Sequence, residues 1–199
     1  MGGAPSAPIE RKGEVRDASG ALRSCLFCTI AAGASPPNVL WYTDETVSVF
    51  VPRSPSAALH LLVVPRAHVG PVSTLDASHA ALLHHMRAVG AAQLARYDAA
   101  VGAGRLTLTG RMPPPPRDAE LGDAGAAVEA GVDGALERVP PLPPRCQLAF
   151  HVPPFNSVAH LHLHALRPPF TSLSDRISFA EGWPWCASAE SVARRIDGA

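Results

Sequence analysis

The feature that most constrains this 199-residue chain is a run in which three histidines alternate with apolar residues. His160, His162 and His164 are separated from one another by single leucines. Successive side chains of a β-strand point to opposite faces, so this alternation predicts a half-buried strand over residues 159–166. The apolar residues of the run would then face a core, and the three histidines would line the opposite face.

A row of histidines is well suited to chemistry near neutral pH. Neighbouring side chains on one face of a strand lie about 7 Å apart, so a phosphate-sized group can touch two of them. Imidazole titrates near neutrality, and the row can therefore supply a nucleophile, a proton donor and an orienting group. The alternative is a solvent-facing strand that is rich in histidine. The polar pair Asn156-Ser157 directly before the run favours a functional site.

Two blocks of the sequence resemble the histidine triad superfamily of nucleotide hydrolases and transferases. In the first block, residues 156–166 are similar to the family signature of three histidines alternating with apolar residues. The stretch 149–158 resembles the adenosine phosphoramidase branch close to aprataxin. In the second block, residues 24–30 are similar to the family's opening strand. Residues 57–68 are similar to its apolar strand followed by proline, a basic residue and histidine.

The resemblance covers residues 24–104 and 145–198 and implies an α+β fold. Its elements are an antiparallel sheet of about five strands, one long helix and a short C-terminal helix. We predict one domain over residues 24–198. The 21 prolines and 16 glycines concentrate outside the family blocks. Because such composition buries little apolar area, we expect a disordered tail at 1–23 and a disordered Pro/Gly/Ala-rich insertion at 105–144.

The resemblance assigns catalytic roles to five residues. His162 would be the nucleophile that becomes nucleotidylated, flanked by His160. His164 would contact the phosphate, and Ser157 would hydrogen-bond the phosphate or pass a proton to the departing amine. His60 matches the family histidine that enters the site from the neighbouring strand.

The same comparison predicts how a purine nucleotide of the AMP type is held. Ile30 and Phe50 match apolar residues that clasp the base, and Asn156 replaces a glutamine that commonly precedes the serine. Ser157, His162 and His164 would complete the phosphate side. Pro52 stands where the family carries an aspartate to the ribose hydroxyls. Because proline has no side-chain acceptor, we expect a weaker or relaxed nucleotide preference.

Cys25-x-x-Cys28 indicates a second site. Two thiolates and two imidazoles form a closed tetrahedral zinc site of the structural type, and the candidate imidazoles are those of His68 and His160. Relatives in the superfamily have a zinc site of this kind. The alternative is two small buried thiols that pack an N-terminal strand. In either case we expect the reaction itself to need no cofactor.

The leading functional hypothesis is hydrolysis of the P–N bond of purine nucleoside 5′-monophosphoramidates through a nucleotidyl-histidine intermediate. Other histidine triad reactions remain open, notably dinucleoside polyphosphate hydrolysis and nucleotidyl transfer. A metal enzyme that uses the three histidines as ligands and a non-catalytic nucleotide sensor are the competing classes.

Charge and hydropathy limit the partners. Seventeen basic residues balance 17 acidic ones. The sequence therefore predicts no basic surface for nucleic acid, and it contains no apolar run long enough to span a membrane. We expect a cytoplasmic or nuclear protein that forms a homodimer, as relatives do.

Overall fold

The computed structural model describes residues 9–34, 40–104 and 141–198. The predicted tail at 1–8 and the predicted insertion over 105–140 lie outside the described residues. No helix in the described ranges is both long and apolar enough to cross a membrane.

A small three-stranded antiparallel sheet opens the described chain, where we predicted a disordered tail. Its strands are β1 (Ile9–Arg11), β2 (Glu14–Arg16) and β3 (Leu22–Cys25). The prediction was wrong for residues 9–23. The two-residue turn Lys12-Gly13 has positive φ at both positions, the geometry that matches the twist of a tight hairpin. The strands are too short to show a period-two pattern, so only the turn glycine signals them.

The main sheet has six antiparallel strands rather than about five. They are β4 (Leu40–Thr43), β5 (Val47–Phe50), β6 (Ala57–Pro65), β7 (Gln147–His151), β8 (Leu163–Phe170) and β9 (Cys186–Ser188). Their order across the sheet is β4-β5-β6-β8-β7-β9. A hairpin around Asp44-Glu45 joins β4 to β5, and the Asp44 carboxylate accepts hydrogen bonds from the backbone N–H groups of Thr46 and Val47, both at 2.7 Å.

The described residues also contain four α-helices: α1 (Leu26–Ala31), α2 (Ala80–Gly102), α3 (Leu173–Ser178) and α4 (Ala189–Asp197). The predicted opening strand at 24–30 is therefore wrong beyond Cys25, where α1 begins. Two short 3-10 helices, Val72–Thr74 and Ala77–His79, lead into α2. Helix α4 is the predicted short C-terminal helix, and Ser188 caps it by accepting the N–H of Ser191 on its hydroxyl at 3.2 Å.

The main core lies between the sheet and helices α2 and α4. The alternation around the histidines is confirmed on this side, because Leu161, Leu163 and Ala165 are all buried in that core. Helix α2 comes closest to the sheet at Gly90, where a Cβ would lie 3.0 Å from a methyl of Leu148. The other face of the sheet carries the histidines and two smaller apolar clusters.

The predicted strand 159–166 starts later than expected, at Leu163. His160 and His162 precede it in an irregular segment, and only His164 is a strand residue. The reason is that backbone N–H groups before β8 find acceptors outside the main sheet. Ala159 donates to the carbonyl of Lys12 at 3.0 Å, and Leu161 donates to that of Val69 at 2.8 Å.

Candidate active site

His162 is held as a neutral imidazole with one free nitrogen. Its Nδ1–H donates to the carbonyl oxygen of His160 at 2.7 Å, which places the proton on Nδ1 and leaves a lone pair on Nε2. Burial lowers the pKa of His162 to about 4, so the ring is uncharged at neutral pH. Nε2 is buried and has no hydrogen-bond partner among the described residues. A desolvated lone pair of this kind is a suitable nucleophile.

A chain of hydrogen bonds gives His164 the opposite tautomer. The backbone N–H of Ser56 donates to Nδ1 of His60 at 3.0 Å, so the proton of the neutral His60 ring is on Nε2. That N–H donates to Nδ1 of His164 at 2.8 Å. Burial is the main cause that lowers the pKa of both rings, to about 3 for His60 and well below 6.5 for His164. His164 therefore carries its proton on Nε2.

His162 and His164 thus place a lone pair and an N–H donor next to each other. Their centroids are 5.0 Å apart, and Nε2 of each ring is buried without a partner in the described chain. Native proteins satisfy nearly all buried polar atoms, so two adjacent unsatisfied ones call for a ligand. A phosphoryl group can be attacked by His162 while one of its oxygens accepts the Nε2–H of His164.

His151 is a further histidine at this site, and we predicted no role for it. It ends β7, and its ring lies 4.7 Å from that of His164, centroid to centroid. It also stacks on Phe179 at 4.7 Å, and Phe179 packs against His60 as well. Ala149, two residues earlier in β7, pairs with His164, which places His151 on the histidine-bearing face. Period two along β7 was the signal available in the sequence.

The loop before the triad is arranged differently from our expectation. Asn156 is buried and bonds to its own loop, donating from its side chain to the carbonyl of Val158 at 2.9 Å. Its Oδ1 accepts from the ammonium of Lys12 at 2.8 Å, a contact from the N-terminal hairpin. Ser157 is exposed, and within the described ranges its hydroxyl bonds to none of the triad histidines. Ser157 is thus on the right loop, but it is not brought into contact with the triad.

The apolar residues predicted to clasp the base lie together beside His162. Ile30 and Phe50 are buried in one cluster with Phe27. The Phe27 ring meets that of His162 edge-on at 5.2 Å and that of Phe50 at 5.5 Å. Nε2 of His162 is itself buried beneath its neighbours. A nucleotide therefore reaches Nε2 only after side chains around the triad move.

The four residues of the predicted metal site come together. The ligand atoms of Cys25, Cys28, His68 and His160 all lie within 4.8 Å of one another. Cys25 ends β3 and Cys28 lies in the first turn of α1, so the chain reversal at the helix start brings the two thiols together. Nδ1 of His160 is 3.4 Å from each sulfur, and Nδ1 of His68 is 3.5 Å from that of Cys28.

The tautomer of His160 also suits a metal. Nε2 of His160 donates to the carbonyl of Pro65 at 3.0 Å, which leaves its Nδ1 lone pair facing the sulfurs. Burial raises the pKa of Cys28 to about 11, with a further contribution from Cys25. A divalent cation would reverse this shift and hold both sulfurs as thiolates. The donor set therefore fits zinc.

Comparison of the sequence with those of known proteins finds similar proteins. Residues 24–106 match the family described as Scavenger mRNA decapping enzyme C-term binding. The chain is 27% identical over 146 residues to "Adenosine 5′-monophosphoramidase HINT3" of Mus musculus, and 29% identical over 145 residues to the Xenopus tropicalis protein of that name. Together these matches support a member of the histidine triad superfamily.

The superfamily relatives are longer than the region they share with this chain. The matches to the mouse and frog proteins cover 73% of this chain, but 64% and 68% of the respective relatives. An Arabidopsis thaliana relative, "Bifunctional adenosine 5′-phosphosulfate phosphorylase/adenylylsulfatase HINT4", is 29% identical over 76% of this chain and 75% of its own length. These names describe the relatives.

Among solved structures, similarity is found to a "HIT family hydrolase from Clostridium thermocellum". The match has a TM-score of 0.44 and 19% sequence identity, and it covers 76% of this chain and 96% of the other.

His60 and His164 predict a specific dependence of stability on pH. In the unfolded chain both rings titrate near 6.5, whereas burial holds both pKa values far lower in the folded protein. Below pH 6.5 the unfolded state therefore binds more protons, and the free energy of unfolding should fall as the pH drops from about 6.5 towards 3. Above 6.5 both states are neutral and this contribution is fully present.

Urea unfolding at several pH values measures this effect. His60→Gln removes one of the buried neutral rings and should give a shallower slope, by up to about one proton taken up on unfolding. A free energy of unfolding that stays constant between about pH 6.5 and about pH 5 in the wild type would contradict the burial of neutral histidines.

Proposed function

We propose that the protein hydrolyses the P–N bond of purine nucleoside 5′-monophosphoramidates. One observation carries the proposal: the neighbouring buried Nε2 atoms of His162 and His164 have no hydrogen-bond partner among the described residues, and one bears a lone pair while the other bears a proton. The names of the mouse and frog relatives support the choice of substrate.

The reaction takes place in two halves. The His162 lone pair attacks the α-phosphorus, an N–P bond forms, and the P–N bond to the amine breaks. As this bond breaks, the amine nitrogen takes up a proton from solvent on the side of the exposed Ser157, and the water that reacts in the second half returns one. Water then adds to phosphorus, the bond to His162 breaks and the nucleoside monophosphate leaves. Throughout, the Nε2–H of His164 donates to a non-bridging oxygen, where charge develops.

Nucleotide selectivity depends on the cluster around Phe50. Its ring and that of Phe27 offer aromatic surface, which stacks on any base. Pro52 follows β5 and has no side-chain acceptor for ribose hydroxyls. We therefore expect stacking to hold the base with little regard to its identity, and we expect weak discrimination at the ribose.

A second candidate keeps the site and changes the leaving group. The Arabidopsis relative is named for reactions of an adenosine phosphosulfate, in which the leaving group is an oxyanion. The same lone pair on His162 serves both reactions, but an oxyanion needs less protonation than an amine when it leaves. Relative rates on a phosphoramidate and a phosphosulfate of the same nucleoside separate the two.

The competing metal-enzyme hypothesis loses support at the triad. Among the described residues, the metal-binding cluster includes His160 but neither His162 nor His164. His160 Nδ1 faces the cysteine sulfurs, whereas His162 directs Nδ1 to a carbonyl. We propose instead that the cluster binds a structural zinc, which would stabilise α1 and the loop that carries His160. The four ligands would fill its coordination sphere.

Replacing His162 tests the catalytic proposal. His162→Ala removes the attacking atom and should reduce phosphoramidate turnover by at least about 10⁴-fold, as expected for a covalent nucleophile. AMP binding should change little, because few contacts to the nucleotide are lost. Calorimetry measures binding, and mass spectrometry of quenched wild-type protein should show a nucleotidyl adduct.

The matched control is His84→Ala. It also removes one imidazole, from the exposed side of α2, where His84 meets only Asp197 and Arg87. His84→Ala should keep wild-type turnover. Measurable P–N hydrolysis by the His162→Gly protein would contradict the nucleophile assignment, and absence of hydrolysis by wild type would favour a nucleotide sensor.

We also propose a homodimer in which a second copy covers exposed aromatic residues. Trp183 is 52% exposed and stacks on Trp185 at 4.7 Å, and Phe155, which is 57% exposed, lies 6.0 Å from Trp185. Exposed apolar groups of this size gain stability when a partner covers them. Light scattering should give about twice the chain mass of 20.8 kDa. A mass near that of one chain would exclude the dimer at the concentration tested.

A further inference from the structure

The N-terminal hairpin places a buried carboxylate against the metal-binding cluster. Glu14 is 4% exposed, and its Oε1 lies 3.1 Å from Nε2 of His68. Its other oxygen accepts from the guanidinium of Arg16 at 2.9 Å. Carboxylates are rarely buried unless they are paired, because burial removes hydration that the protein must replace. The position of Glu14 therefore needs an explanation.

The contact with His68 is only partly formed. At 3.1 Å it is within ion-pair distance, but its angle is poor for a hydrogen bond, and Oε1 has no other partner in the described chain. Packing alone does not explain a buried glutamate at this position, since an apolar side chain would fill the same space without the free-energy cost of desolvating a carboxylate. An unsatisfied carboxylate oxygen beside a ligand imidazole points to a role at the metal.

The two imidazoles of the cluster are used in parallel ways. Each directs Nδ1 at a cysteine sulfur and Nε2 outward to an oxygen. For His160 the outer oxygen is the carbonyl of Pro65, and for His68 it is the carboxylate of Glu14. An outer acceptor fixes the tautomer and ring orientation of a metal-binding histidine, and a carboxylate also makes the ring a stronger ligand.

We propose that Glu14 is a positioning residue for the zinc site, and that docking of the β1–β2 hairpin and metal binding stabilise each other. Glu14 acts through His68 and touches neither the metal nor the substrate. The inference rests on the zinc proposal, but it does not depend on the reaction catalysed.

The hairpin also reaches the loop that presents the nucleophile. The carbonyl of Lys12 accepts the N–H of Ala159, and the Lys12 ammonium donates to the carbonyl of Pro154 at 2.6 Å. Ala159 precedes His160, whose side chain faces the cysteines and whose carbonyl holds His162. Loss of the metal should therefore loosen both the hairpin and this loop.

Zinc affinity, measured by competition with a chromophoric chelator, tests the inference. We expect Glu14→Gln, which keeps an acceptor but loses the charge, to weaken zinc binding about 10-fold, and Glu14→Ala to weaken it by up to about 100-fold. Two matched controls remove other charges from the same three-stranded sheet. Arg23→Gln removes an exposed guanidinium that pairs with Asp17, and Glu10→Gln removes an exposed carboxylate. Both controls should bind zinc within about 3-fold of wild type.

Melting temperatures with and without zinc separate positioning from a general effect on folding. If Glu14 acts through the metal, Glu14→Gln should melt close to wild type without zinc and gain less stability when zinc is added. Equal zinc affinity in wild type and Glu14→Ala would overturn the inference, as would an equal loss of melting temperature with and without zinc. A wild type that binds no zinc would remove the zinc site and this inference together, and would leave the chemistry of His162 untouched.

Discussion

The site depends on one hydrogen bond, from Nδ1–H of His162 to the carbonyl of His160. It decides which nitrogen of the central ring carries the proton and therefore which one can attack phosphorus. Because the acceptor is a backbone atom, the bond is set by the path of the chain and not by a titrating partner. It also joins the two centres, since the residue that supplies the carbonyl directs its own ring at the cysteine pair.

Burial makes this arrangement chemically useful. Desolvation holds the pKa of His162 near 4 and that of His60 near 3, so the rings stay neutral over the physiological range. Each neutral ring carries a proton on only one nitrogen. Because the Ser56 N–H donates to Nδ1 of His60, the His60 proton is on Nε2, and its donation to Nδ1 of His164 puts the His164 proton on Nε2 as well. The result is a lone pair and a proton donor side by side in one desolvated place.

Much of this could be predicted from the sequence, because the decisive patterns are local. Alternation from Leu161 to Ala165 assigned the core face correctly, and the Cys25-x-x-Cys28 spacing located a cluster that the fold does bring together. The apolar run that ends at Pro65 also matches strand β6 of the main sheet.

The failures come from contacts between residues that are distant in the sequence. Hydrogen bonds to the loop at 154–159 hold the hairpin at residues 9–16 in place. No sequence pattern within the hairpin indicates that it contacts this loop. The start of β8 is set by where Ala159 and Leu161 find acceptors. For His151, period two along β7 gives its face relative to Ala149, but only the register of β7 against β8 shows that this face carries the triad histidines.

Nitrogen-15 NMR of the histidine rings at neutral pH tests the central claim most directly, because long-range ring correlations distinguish Nδ1–H from Nε2–H. Single-histidine variants would assign the signals. We predict that His162 is neutral and protonated at Nδ1, and that His164 is neutral and protonated at Nε2. A His162 ring protonated at Nε2, or a charged ring at either position, would contradict the account.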